Sequence, residues 1–244
     1  MSFNKQYLDL VLVPSGLLIM FAYHLILLYR YLNLPHTTVI GFENNDKRAW
    51  VQRIMQADRG NVGIALTVIT SNISATTFFA TISLTLSSLI GAWLGTSSTN
   101  QVFQSELIYG DTRVITISMK YICLIACFLL AFSCFVQATR NFVHANYLIS
   151  LPGSDVPVKN VEKAVLRGGD CWSAGLRALY FALVLLPWFF GPIPMFVSSV
   201  FMVILLNYLD TNTTPLHQHK FQGIQMVKRV NEQSYEAVVD IEHH

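Results

Sequence analysis

The sequence predicts an all-helical integral membrane protein, a four-helix bundle with short amphipathic helices in its cytosolic loops. Apolar residues make up 53% of the 244-residue chain and charged residues only 12%, whereas about a quarter of the residues of a soluble domain are charged. Four long segments contain no charged side chain, and each approaches or exceeds the ~20 residues that a helix needs to cross a bilayer. These segments are residues 10–29, 60–105, 121–139 and 178–209.

Taken with their flanks, the four segments predict membrane spans at about 8–32, 62–95, 115–149 and 174–209. Residues 1–210 therefore form one transmembrane domain. Residues 211–244 are polar and lack periodicity, which is typical of a flexible tail. Proline and glycine residues interrupt the last span and predict a kink that divides it into two unequal pieces. They are Pro187, Gly191, Pro192 and Pro194.

The connection between the first two spans predicts an amphipathic helix over residues 46–60, in which Trp50, Ile54 and Met55 recur at helical spacing. Such a helix either lies at the headgroup boundary, where its basic side chains contact anionic lipid, or packs on its own bundle. The basic side chains are Lys47, Arg48, Arg53 and Arg59. A second amphipathic helix is predicted over residues 156–169, where Gly168 and Gly169 read as its stop and hinge.

The second span carries a stripe of small and hydroxylated residues along one side. Steps of three and four residues give Thr67, Thr70, Ser74, Thr77, Thr81, Leu84, Ser88 and Gly91. A 3.5-residue repeat stays on one side only when helices supercoil left-handedly, so the stripe predicts close helix packing. In one interpretation, copies of this helix from several subunits line a pore in which Leu84 is the apolar constriction. In the other, the stripe is only a packing face.

Two further polar residues lie within the predicted spans. His24 is near the middle of the first span, where we expect a hydrogen-bonded packing residue rather than a ligand or a proton relay. Asn72 lies in the second span but off the stripe. An amide in hydrocarbon must be satisfied, so we expect Asn72 to bond a neighbouring helix.

The basic residues predict the orientation. Five of them fall in residues 30–61 and five more in residues 137–177, whereas the connection 95–114 holds only Arg113 and the chain before the first span only Lys5. The positive-inside rule assigns the two rich loops to the cytosol. With four spans, both termini are then non-cytosolic, in a plasma membrane or an endomembrane.

Residues that would indicate catalysis or ligand chemistry are missing from the sequence. It has no Gly-rich phosphate loop, no HExxH, no GxSxG and no paired carboxylates on a shared face. We therefore expect no catalytic, cofactor or metal site, and no nucleic-acid partner. The partners that the sequence predicts are the lipid bilayer and further copies of this chain.

Short motifs in a fixed order along the spans resemble the plant membrane-protein family catalogued as domain of unknown function 599. The motifs are Arg48-Ala-Trp50-Val51, Asn72-Ile-Ser-Ala-Thr-Thr77, Gly110-Asp111, Lys120-Tyr121, Cys127-Phe-Leu-Leu-Ala-Phe132, residues 140–146, Arg177-Ala-Leu-Tyr180, Trp188-Phe-Phe-Gly191-Pro192 and Leu209-Asp210. Ser71 stands where relatives tend to carry a basic residue. The resemblance implies a four-span architecture in a plant plasma membrane or endomembrane, and it implies no activity.

The function predicted first from the sequence is a homo-oligomeric channel or a transport-related protein for ions or small solutes. The main alternative is a structural or adaptor protein that recruits partners or organises lipid. An integral-membrane enzyme is the third possibility, and it has no catalytic residues to support it.

Overall fold

The computed structural model describes residues 5–56, 62–95, 114–151 and 156–213. Over these ranges the chain forms six α-helices and no β-strand, which confirms the all-helical prediction. The helices are α1 (Lys5–Asn33), α2 (Val39–Gln56), α3 (Val62–Gly95), α4 (Val114–Ser150), α5 (Val158–Leu185) and α6 (Pro192–Asp210). Two 3₁₀ turns, Pro35–Thr37 and Leu186–Phe189, precede α2 and α6. Arg59 and the predicted tail from residue 214 onward lie outside the described residues.

Five of the described helices, α1, α3, α4, α5 and α6, are long and apolar enough to cross a membrane. Three of them agree with the spans predicted at 8–32, 62–95 and 115–149. The predicted count of four is wrong, because residues 174–209 are divided between α5 and α6. The apolar segments are Leu8–Asn33, Val62–Trp93, Ile115–Ser150, Val158–Phe189 and Pro192–Asp210.

The chain reverses direction between α5 and α6. Pro187 lies in the 3₁₀ turn, Gly191 adopts a φ of 148°, and α6 begins with Pro192. A positive φ of this size is available to glycine at little cost and to other residues only under strain. Leu206 of α6 packs in one cluster with Val184 of α5, so α6 returns alongside α5. These proline and glycine residues were predicted to kink one helix, but together they form a turn between two helices.

Helix α5 is continuous through Gly168 and Gly169, where the sequence predicted a helix stop and a hinge. The predicted amphipathic helix at 156–169 is therefore the first half of α5. A Cβ atom on Gly168 would lie 2.7 Å from the ring of Phe142 in α4, and a Cβ atom on Gly175 would lie 2.8 Å from the ring of Phe135. These glycines allow α4 and α5 to approach each other closely, which explains their presence inside a helix.

The helices form an ordered bundle in which α4 packs between α3 and α5, and α1 packs against α6. α3 packs chiefly against α4, so it lies at an edge. α2 packs against α5. Val51 of α2 joins Ala65 of α3 and Val161 of α5 in one buried cluster, as expected for a helix that packs on its own bundle.

The two ends of the bundle are defined by polar contacts. At the α2 end, the backbone N–H of Asn212, just beyond α6, donates to the carbonyl oxygen of Thr37 in the turn after α1, at 3.1 Å. At the Trp188 end, the indole Nε1 of Trp188 donates to Asp9 near the start of α1, at 3.0 Å. α1 therefore begins at one end and α6 finishes at the other. The prediction that both termini lie on one side depended on an even number of spans, and five helices long and apolar enough to cross do not support it.

Candidate functional site

The predicted stripe lies on an exposed face of α3 that is turned away from α4. Every residue of the stripe is exposed, including Leu84 at 43%. Three of its hydroxyls, those of Thr67, Ser74 and Thr81, donate to backbone carbonyl oxygens one turn earlier at 2.9–3.0 Å. The donors are thereby satisfied inside the helix, while the oxygens remain available as acceptors on the outer surface.

A second row of hydroxyls, which the predicted stripe does not include, is buried where α3 meets α4. Thr76, Ser83 and Ser87 lie in this row and are at most 7% exposed. Thr139 of α4 donates to the hydroxyl oxygen of Thr76 at 2.8 Å. Ala80, between Thr76 and Ser83, completes a repeat of four and three residues that could have predicted a second packing face.

Asn72 is exposed on the wall of a cavity of about 460 Å³, where we had expected it to bond a neighbouring helix. The cavity lies between α2, α3, α4 and α5. Its walls are mostly apolar and include Phe142 and Trp172. The charged lining residues all come from α2, and they are Glu43, Asp46 and Lys47. Such a cavity accommodates an apolar group whose polar end remains at the surface.

His24 is half-buried and packs against two aromatic side chains. Its Nδ1 lies 2.7 Å from the carbonyl oxygen of Met20, and its ring lies 5.0 Å from that of Phe181 and 5.4 Å from that of Tyr23. Its Nε2 is buried without a hydrogen-bond partner among the described residues. These contacts fit a packing residue.

A largely buried ion pair joins three helices near His24. Arg177 of α5 donates to both carboxylate oxygens of Asp210 in α6, at 2.7 and 2.5 Å. The hydroxyl of Tyr23 in α1 donates to the same carboxylate at 2.7 Å. The Arg177 and Asp210 side chains are 17% and 11% exposed. Planar, bidentate pairing of this kind fixes orientation as well as neutralising both charges.

The Trp188 end has its own buried polar cluster. Asp9, Lys120 and Trp188 are each at most 8% exposed. The Lys120 ammonium lies 5.4 Å from the centre of the Trp188 ring, within the range of a cation–π contact. α1, α4 and the turn before α6 are thus tied together at this end.

A polar groove with a volume of about 590 Å³ runs between α4 and α5 towards the α2 end. Arg140 and Arg167 are exposed in it, and neither forms an ion pair with a described residue. One carboxylate, that of Asp170, also lines the groove. Its Oδ1 already accepts hydrogen bonds from Tyr31 at 3.0 Å and Asn44 at 3.2 Å. The lining is completed by Gln137, Asn141, His144 and Cys171.

The basic residues predicted to contact anionic lipid are partly neutralised within the chain. The Lys47 ammonium lies 3.1 Å from Glu43, and the Arg48 guanidinium lies 3.2 Å from Glu162. Paired charges attract an external anion less strongly than unpaired ones do.

The family described as "Protein of unknown function, DUF599" matches residues 11–215, which cover all of the described helices apart from the first residues of α1. The chain belongs to this family. No curated protein and no solved structure matches the chain. Because the function of the family is unknown, membership does not indicate what this protein does.

Proposed function

We propose that this protein is a homo-oligomeric, transport-related membrane protein whose subunits meet through the stripe on α3. α3 packs chiefly against α4, and its stripe is exposed from Thr67 to Gly91. A helix that faces only lipid gains nothing from so many hydroxyls. A second helix can approach closely over small side chains and gain ~0.6 kcal/mol for each interhelical hydrogen bond.

In a symmetric assembly, the stripes of several subunits would surround a central axis. Hydroxyls that donate to their own helix still present oxygen acceptors, which suit cations and solutes that donate hydrogen bonds. Leu84, the one large apolar side chain of the stripe, would narrow and dewet one level of the pore.

Single cysteines test the assembly. In a chain whose four native cysteines are replaced by alanine, Ser74→Cys or Thr81→Cys should form disulfide-linked dimers in native membranes under mild oxidation. Leu86→Cys is the matched control, because Leu86 is also exposed but lies about 140° around the helix from Thr81. Equal crosslinking at all three positions, or none, would remove the proposed interface.

A lipid-organising role is the second candidate, and it is supported by the apolar cavity beside Asn72, whose charged lining comes from α2. The two candidates differ in an observable way. An assembly that crosslinks through the stripe but passes no current and no solute in reconstituted membranes would favour the lipid-organising role.

We also propose that the α2 end faces the cytosol. α2 and the parts of α4 and α5 that lie at this end carry most of the basic residues of the described helices, and the positive-inside rule places such a cluster in the cytosol. They are Lys47, Arg48, Arg53, Arg140, Lys159, Lys163 and Arg167. The start of α1 would then face the lumen or the cell exterior, and residues 211–213 would be cytosolic.

A further inference from the structure

We infer that the groove between α4 and α5 binds the phosphate-bearing headgroup of an anionic lipid in the cytosolic leaflet. Five groups carry the chemistry: the side chains of Gln137, Arg140, Asn141, His144 and Arg167. This site goes beyond the proposed assembly, because it lies on α4 and α5 and does not involve the stripe of α3.

The charge of the groove suits a phosphate. Arg140 of α4 and Arg167 of α5 both line the groove, without ion-pair partners among the residues that the structure describes. They outnumber the single carboxylate of Asp170, whose Oδ1 is held by Tyr31 and Asn44. Guanidinium groups bind phosphate oxygens in bidentate geometry, and the hydrogen bonds are strengthened by charge.

The depth of the groove suits a lipid headgroup. Arg140 follows Lys120 by 20 residues on α4, which corresponds to about 30 Å at 1.5 Å per residue. Arg167 precedes Trp188, the partner of Lys120 at the other end, by 21 residues. About 30 Å is also the thickness of the hydrocarbon core. If the Lys120–Trp188 contact marks one boundary of the core, both arginines lie at the other.

The groove differs from α2, the other basic surface at the same end, because two basic residues of α2 are paired with carboxylates. Lys47 and Arg48 are each within 3.2 Å of a carboxylate, whereas Arg140 and Arg167 form no ion pair with any residue in the described part of the chain. The groove, rather than α2, is therefore the stronger candidate for the anionic-lipid contact that the sequence predicted.

The test measures lipid retention on the full-length protein. Protein purified in a mild non-ionic detergent is incubated with dioleoyl phosphatidic acid or, separately, with dioleoyl phosphatidylcholine, and the bound lipid is counted by native mass spectrometry. The groove variant is Arg140→Gln with Arg167→Gln. The matched control is Lys47→Gln with Arg48→Gln, which removes the same charge from the same end.

We expect wild type and control to retain phosphatidic acid in preference to phosphatidylcholine. The groove variant should lose affinity for phosphatidic acid by about tenfold or more for each guanidinium removed. Unchanged retention by the groove variant, an equal loss in the control, or equal retention of the two lipids would overturn the inference. Displacement of phosphatidic acid by an equal concentration of sodium phosphate would identify a soluble phosphate as the ligand and would also overturn it.

A second measurement on the wild-type protein does not depend on any variant folding. A photoactivatable phosphatidic acid should crosslink to peptides that contain residues 137–144 and 167–171. Crosslinks confined to residues 39–56 would place the lipid on α2 and contradict the inference.

Discussion

Replacement of Asp210 by asparagine should be among the most destabilising single changes in the bundle. The variant removes the charge that accepts two hydrogen bonds from Arg177 and one from Tyr23. Arg177 would keep its charge in a site where its side chain is only 17% exposed. Removing one partner of a buried ion pair costs about 3–5 kcal/mol, so we expect a loss of this size in the free energy of unfolding.

The double variant Arg177→Met with Asp210→Leu separates the ion pair from the general effect of mutation. It removes both charges and fills the space with apolar side chains, which in buried pairs is often neutral or stabilising. The hydroxyl of Tyr23 would lose its acceptor at a cost of about 1–3 kcal/mol. The double variant should therefore be more stable than Asp210→Asn alone.

Unfolding of the detergent-solubilised protein by sodium dodecyl sulfate, followed by tryptophan fluorescence, measures these differences. Glu43→Gln is the control, because it breaks the exposed Lys47–Glu43 pair, which is worth about 0.3–0.5 kcal/mol on a helix. If Asp210→Asn destabilises no more than Glu43→Gln, or if the double variant is the least stable of the three, the ion pair does not hold α5 and α6 together.

Three further predictions concern packing, conduction and orientation. Gly175→Ala should destabilise the protein by about 1–3 kcal/mol, because its Cβ would lie 2.8 Å from the ring of Phe135. The control is Gly63→Ala, whose Cβ would meet no atom within 4 Å and which should be neutral or stabilising. The same unfolding assay compares the two variants, and equal effects would contradict the close approach of α4 and α5. Leu84→Thr should increase currents in planar bilayers if the stripe lines a pore, while silent bilayers for both proteins, with a less stable oligomer, would leave the stripe as a packing face. Asn212 begins an Asn-Thr-Thr acceptor sequence and should remain unglycosylated if the α2 end is cytosolic; its modification in microsomes would reverse the proposed orientation.

The spans that the sequence predicted correctly are those whose ends are marked by charge. Asp9 and Arg30 flank the apolar core of α1, and Lys120 and Arg140 flank that of α4. The span that was not predicted separately, α6, has no charged residue at its start, because the turn between α5 and α6 lies inside the charge-free segment 178–209. Proline and glycine predicted an interruption there, but a kink and a reversal have the same local signal. The structure distinguishes a reversal from a kink, because Leu206 of α6 lies in the same buried cluster as Val184 of α5.

The polar pairings could not be predicted for a related reason. Arg177 and Asp210 are separated by 33 residues, and they meet only because α6 runs antiparallel to α5. Under the four-span prediction they lay near opposite ends of one helix. The error in the count therefore concealed the ion pair, and the same error supported the prediction that both termini lie on one side.

The sequence shows the stripe on α3, but it does not show whether the stripe faces α4 or the outer surface of the bundle. α3 carries hydroxyls on two sides, and the repeat that includes Thr76, Ser83 and Ser87 would pack against a neighbour as readily as the one that includes Thr70 and Ser88. The structure places the first row against α4 and leaves the second exposed. In the first row, Ala80 belongs to one buried cluster with Ala131 and Phe135 of α4.

The polar contacts are distributed unevenly, because they join α1, α4, α5 and α6, whereas α3 takes part in no ion pair among the described residues. Ionic and aromatic contacts at both ends tie α1, α4, α5 and the chain around α6 to one another. α3 has no charged residue. It is held by the buried row of small side chains against α4 and by Phe79, whose ring stacks on that of Phe135 at 5.6 Å and meets that of Trp172 of α5 edge-on at 5.3 Å. Its outer face is therefore the surface on which a further helix can pack without separating any ion pair. An interface between subunits is expected on this face for that physical reason, independently of whether the assembly conducts.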